Sequence, residues 1–372
     1  MLDFIGHPHK KFRFVERFQA LTRGTRDAVR RALEDGFPHL PSGCDIRLDR
    51  ESQAIVLANV RSAISNVWSE LVADLRAAGD VDLPTFLSDS GLSLEAFYAR
   101  PRRNFTALRH EAGFRTAEVD TDVTRALPRL LYVDDDARLD RWSEWLASET
   151  PPPRDDSDPL RLMLFAALGF VRRSVEDWDA AFKELWDKDD VRRETLAVLR
   201  LLADRPRRPT FACSGLPFQV HATYSRDEIS AGLLELRQGK LLRTQGGVLK
   251  CRAAHADVLY VELEKDPKHY TPTTLYDDRF ISPTLLQWES QSKTRAESDT
   301  GRRYRSHAST SWRILVFARQ RADDERGFTS PYLFLGPARY VSHESEKPMR
   351  ILWELERPAP QSFFADVKIA AG

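Results

Sequence analysis

Cysteine is scarce in this 372-residue chain: Cys44, Cys213 and Cys251 lie far apart and form no CxxC. So odd and sparse a set excludes a disulfide framework or a zinc ribbon and suits a reducing compartment, so the expected location is cytoplasmic. No apolar run approaches the ~20 residues that span a bilayer, and no membrane partner is expected. An excess of charge is missing too. Lys+Arg and Asp+Glu both total 56, which excludes a global basic field and leaves local clusters to be read instead. The patterns GxxxxGK[ST], GxSxG, HExxH and GxGxxG are all absent. The chain alone is therefore not expected to hydrolyse nucleotides, and no cofactor is expected. The histidines are scattered without ligand spacing, so no metal site is expected either.

What is present suffices for two or three domains: hydrophobic residues make up 42% and charged ones 30%. Residues 1–45 are basic and aromatic, and their abrupt start suits the tail of something larger or a linker. From Asp49 or Ser52 a long amphipathic helix follows, with Val56, Val60, Ile64, Val67, Leu71 and Leu75 on one face and Gly79 as its stop. Residues 83–114 read as helix, Gly-containing turn and helix, which is helix-turn-helix-like. "LRLMLFAALGFV" reads as a buried helix, and "RPRRP" at 205–209 marks a boundary. Beyond it the period shortens to that of strands: "FQVHATYS", "ADVLYVELEK", "SWRILVFARQ", "YLFLG", "ARYVSH" and "MRILWELE". The expected class is α+β. A helical N-terminal and middle region, with a domain over 46–205, precedes a mostly antiparallel β-barrel or sandwich over 206–372, which has one early helix, "SRDEISAGLLEL".

Two patterns faintly suggest a nuclease: His9-x-Lys11 with Glu16, and Asp257 with Asp266-x-Lys268. Both read better as a basic patch and a turn. Stronger signals point to nucleic acid. Arg100, Arg102, Arg103, Arg109 and Arg115 face one carboxylate, Glu111, and Arg102, Arg103 and Arg109 are the expected phosphate contacts. The second signal is "ISPTLLQWESQSKTRAESDTGRRYRSH", residues 281–307, read as a half-buried strand breaking into a loop. Trp288 between Gln287 and Gln291 suits stacking plus edge reading of a base. Arg302 and Arg303 suit phosphates, and Tyr304, His307 and His343 suit a pocket wall. Trp312, Phe317, Phe334 and Trp353 are expected in the core.

Leu2-Asp3-Phe4-Ile5-Gly6 with the basic "FRFVERFQAL" is similar to the end of the second RecA-like lobe in bacterial superfamily 2 (DEAD/DEAH-box) helicases. "GFPHLPSGCDIRLDRESQAIVLANVR" resembles the opening of their C-terminal region, the domain-of-unknown-function 3427 family. "YTPTTLYDDRFISPTLLQWESQS", "TGRRYRSH", "YLFLGPARYVSHESEKPM" and "ILWELE" resemble its close. The resemblance implies an accessory region of such a helicase in DNA processing or phage defence. Its partners would be DNA, duplex or single-stranded, and a helicase core, fused or separate, that supplies the ATPase. The C-terminal barrel would read DNA or a modified base. The alternatives are a metal-dependent nuclease and an interaction scaffold that docks a helicase core through the long amphipathic helix.

Overall fold

The computed structural model describes residues 67–90, 92–100, 103–115, 122–171, 173–174, 177–243, 246–264, 278–324 and 326–364. The readings made for residues 1–45, the first half of the long helix, Arg102, Asp266 and Lys268 lie outside them. The chain forms two compact units, Met1–Asp120 and Thr121–Gly372.

In the first unit, α1 (Trp68–Ala78) buries Leu71, Val72 and Leu75. It stops at Gly79, whose φ of 88° most side chains avoid. Helices α2 (Leu83–Ser90), α3 (Leu94–Phe97) and α4 (Phe105–Ala112) follow, with Phe86, Phe97 and Phe105 in ring contact. Ser93 and Asn104 cap α3 and α4 through their side-chain oxygens. The expected helix-turn-helix pattern is thereby shortened. Its second helix is a single turn, and the chain leaves it at Tyr98, two residues before Arg100 opens the arginine-rich segment.

The second unit opens with α5 (Asp122–Leu130), α6 (Asp136–Ala147), α7 (Pro159–Ala167), α8 (Trp178–Asp187) and α9 (Asp189–Ala203). Asp158 caps α7, Pro159 starts it, and every residue from Arg161 to Ala167 is buried. Strands β1 (Phe211–Ala212), β2 (Gln219–Val220) and β3 (Thr223–Tyr224) lead to α10 (Arg226–Gly232) and the small hairpin β4 (Leu236–Arg237) and β5 (Lys240–Leu241). Ser225 and Glu228 close a full capping box on α10. The main strands are β6 (Val248–Cys251), β7 (Ala256–Glu262), β8 (Arg279–Ser282), β9 (Leu285–Glu289), β10 (Arg313–Arg319), β11 (Tyr332–Glu344) and β12 (Arg350–Leu355), with α11 (Asp299–Ser306) between β9 and β10.

The sheet runs β6-β7-β10-β11-β12-β9-β8, and β3 adds to β11. Pairing is antiparallel throughout except for β7 with β10, which are parallel from Ala256↔Arg313 onward. Among the described residues the end strands β6 and β8 do not meet. The region is therefore sheet-rich and mixed α+β, and among the described residues it forms no closed barrel. Two local expectations also change. "ISPTLLQWES" is a hairpin turning at Pro283-Thr284, and the loop after it contains α11, capped by Ser298. "YLFLG" and "ARYVSH" form one 13-residue strand. Pro337 lacks an N–H, yet its carbonyl still accepts from Glu356 N at 3.1 Å.

Met349, just before β12, and Ile351, Trp353 and Leu355 on one face of it enter the core beside Trp288 and Tyr304. Helix α11 lies against that core at Gly301, where a Cβ would stand 2.0 Å from the Arg295 carbonyl oxygen, so only glycine fits. A buried charge cluster ties α6 to the start of the sheet region. Arg138, wholly buried, donates to Asp135, to Glu228 Oε1 at 2.6 Å and to the Thr223 carbonyl at 2.7 Å. Its guanidinium lies 4.1 Å from the Tyr224 ring centroid. Burial alone would disfavour the charge, but the surrounding carboxylates hold Arg138 protonated, with its pKa raised.

Candidate nucleic-acid interface

The strand pleat decides what 281–307 can present. Neighbouring side chains on a strand point to opposite faces, so Gln287 and Trp288 cannot address one base together. Trp288 faces inward and is 3% exposed, paired with Ile351 across β9–β12. Its indole meets Tyr304 edge-on at 5.7 Å and Trp353 at 6.4 Å. Tyr304 and His307, expected to wall a pocket, each pack edge-on against Trp353, at 6.0 and 5.9 Å between ring centroids. Burial raises the Tyr304 phenol pKa.

His307 serves the backbone. Its Nε2 accepts from Tyr340 N at 3.1 Å, so Nδ1 is the protonated nitrogen and donates to the Trp312 carbonyl at 3.1 Å. Burial lowers its pKa and keeps it neutral. Gln287 is half-buried on the outer face, Gln291 is exposed beyond the strand, and His343 Nδ1 shares a hydrogen bond of 2.6 Å with Tyr340 Oη. The two glutamines do not join the aromatic cluster, and His343 touches only its edge, through Tyr340.

The arginines divide. Arg302 is exposed on α11 and pairs with Asp299 at 2.7 Å. Arg303 grips Asp257 with two bonds, of 2.6 and 3.1 Å, and the Trp312 indole N–H donates to the same carboxylate at 3.0 Å. Asp257 is wholly buried and commits both oxygens to these partners, so it is not displayed as a metal ligand. In the first unit, Arg109 is bound by Asp80 with two 2.9 Å bonds. Arg103 is buried over Trp68, and that burial lowers its pKa.

In the sheet, the tryptophan that reaches the surface is Trp312, which was expected in the core. It is half-buried just before β10, and three separate segments converge on its ring. His255 stacks on it at 5.8 Å with an interplanar angle of 20°. Lys250 Nζ lies 5.5 Å from its centroid, and the Arg303 guanidinium lies 5.4 Å from it. Lys250 and His255 come from β6 and the exposed β6–β7 turn, which also carries Arg252. Arg313 follows Trp312 and donates to the Ser214 and Ala254 carbonyls at 3.0 and 3.2 Å. This end of the sheet thus sets Lys250 and Arg303 beside one indole, with Arg252 and Arg313 on the adjoining turn and strand and Asp257 as the carboxylate that holds both Arg303 and Trp312. Its signal in sequence is faint. Lys250 and Arg252 flank a cysteine far from Trp312, and only the β7–β10 pairing unites them.

No helix among the described residues is long and apolar enough to cross a membrane. No curated protein matches the chain. Residues 218–367, which hold the main sheet, match the family model for a domain of unknown function, DUF3427. The C-terminal part of the chain is therefore a DUF3427 domain.

Proposed function

We propose that the chain is an accessory nucleic-acid-binding region, with DNA as its partner, and that the basic end of the sheet around Trp312 is the surface that meets it. The observation that carries the reading is a partly exposed indole with two cations beside its ring, Lys250 of β6 and Arg303 of α11, and His255 of the β6–β7 turn stacked on it. Lysine and arginine positioned like this neutralise phosphates, and an indole face or edge beside them takes a stacked base. Arg303 is fixed by Asp257, so it orients Trp312, while Lys250, Arg252, Arg302 and Arg313 lie nearer solvent. The resemblance of the chain's segments to the C-terminal region of superfamily 2 helicases supports work beside a helicase core, fused or separate, in DNA processing or phage defence. In that setting the DUF3427 domain is the part that reads DNA or a modified base.

The test is fluorescence anisotropy on duplex and single-stranded oligonucleotides across a salt series. If about four phosphates are contacted, log K falls with log salt at about −3.6 on duplex and about −2.8 on single strand. Binding that is absent, or flat between about 50 and 200 mM salt, overturns the reading.

A further inference from the structure

A cleft of about 750 Å³ opens in the second unit, away from the Trp312 end of β10, between the end of α5, α7, α10 and the β10–β11 loop. Arginines dominate its charge. Arg129 stands exposed at the end of α5 and makes no ion pair among the described residues. Arg243 is 54% exposed and reaches Asp227 at 3.0 Å. Deeper in, two more arginines are held rigidly on Tyr332. Arg226 donates to Tyr332 Oη at 2.9 Å and to the Gly246 carbonyl at 2.9 Å. Arg319 lies 4.6 Å from the Tyr332 ring centroid, anchored on Glu262.

The two acids of the lining are already engaged, Asp227 by Arg243 and Glu228 by Arg138 and Ser225. The cleft therefore keeps an uncompensated positive charge. Ala166, Ala167 and Phe328 give it an apolar wall, and Thr329 and Ser330 add hydroxyls. A second cleft, of about 350 Å³, shares Arg319, Ser330 and Pro331 with it on the other side of the loop.

We propose that this cleft binds an organic phosphate of nucleotide size. Its volume lies in the range that encloses a small organic ligand, roughly 300–1,000 Å³. Free or weakly held guanidinium groups at a concave, partly apolar site recognise phosphate oxygens by charge-assisted, paired hydrogen bonds. The phosphate sits against Arg129 and Arg243 at the mouth, and the planar body lies on the Ala166, Ala167 and Phe328 wall. The same chemistry is offered by a free nucleotide or by the phosphorylated end of a strand, and the neighbouring cleft gives a strand room to continue.

Isothermal titration of the full chain with inorganic pyrophosphate, adenosine diphosphate and a 5′-phosphorylated trinucleotide tests this. Adenosine diphosphate, the trinucleotide or both are expected to bind more tightly than pyrophosphate. Binding of the trinucleotide alone identifies a strand end as the source. Arg129→Ala should weaken the bound probe about tenfold, the loss of one charged hydrogen bond. Arg129→Ala with Arg243→Ala should weaken it further, with the melting temperature kept because both side chains are at the surface. The proposal fails if no probe binds at millimolar concentration, or if the folded double variant binds every probe as the parent does.

Discussion

Replacing Trp288 with alanine separates a core indole from a reading one. The side chain is 3% exposed, and its ring is bounded by Tyr304 at 5.7 Å and Trp353 at 6.4 Å. Its strand is fixed by the pairing of Trp288 with Ile351. These neighbours belong to one packed cluster and cannot all collapse into the space left behind. Truncating a buried tryptophan costs about 3–5 kcal/mol, transfer and cavity effects together. In a unit the size of Thr121–Gly372, each kcal/mol lowers the melting temperature by about 2–4 °C, so a fall of roughly 6–20 °C is expected. Trp288→Phe, which keeps an aromatic ring in the site, should lose less. Thermal unfolding by circular dichroism, with anisotropy on DNA well below the transition, makes the comparison. Unchanged melting with DNA affinity lost would refute the reasoning and return the indole to the ligand.

The remaining expectations concern other buried groups. Arg138→Ala strands Asp135 and Glu228 without their cation and should cost about 3–5 kcal/mol, read as a lower denaturation midpoint with an unchanged slope. His307 has a folded pKa depressed by burial, so its contribution is complete above the ordinary value of about 6.5 and is lost as pH falls through the folded value. Melting between about pH 7 and pH 5 should therefore decline more steeply in the parent than in His307→Gln, and equal slopes would contradict this. Gly301→Ala drives a Cβ into the Arg295 carbonyl oxygen and should destabilise the unit visibly in the same melt. Wild-type melting would show that α11 can move off the loop.

Much of the fold was legible because its signals are local. The alternation in "MRILWELE" named the inward set of β12, and Met349, Ile351, Trp353 and Leu355 are all buried. "SRDEISAGLLEL" announced α10, and Gly79 announced the end of α1. The candidate site was harder to read. The parity of β9 already sets Gln287 and Trp288 on opposite faces, and Pro283 after Ser282 already suggests a turn, so the sequence held both corrections. Trp312 is different. It shares its apolar neighbourhood with a strand, and its partners Lys250 and His255 reach it only through the parallel pairing of β7 with β10. The arginine cleft is more distributed still, since α5, α7, α10 and the β10–β11 loop each supply part of it.

The central claim rests on Trp312, and anisotropy of Trp312→Ala on DNA tests it most directly. Loss of one stacked base at about 1–3 kcal/mol predicts an affinity roughly 5- to 150-fold weaker. Lys250→Ala should weaken binding as well and lessen the salt dependence by about one phosphate, while Trp312→Phe recovers much of the affinity. A folded Trp312→Ala protein that binds DNA as tightly as the parent, at the same salt, contradicts the account.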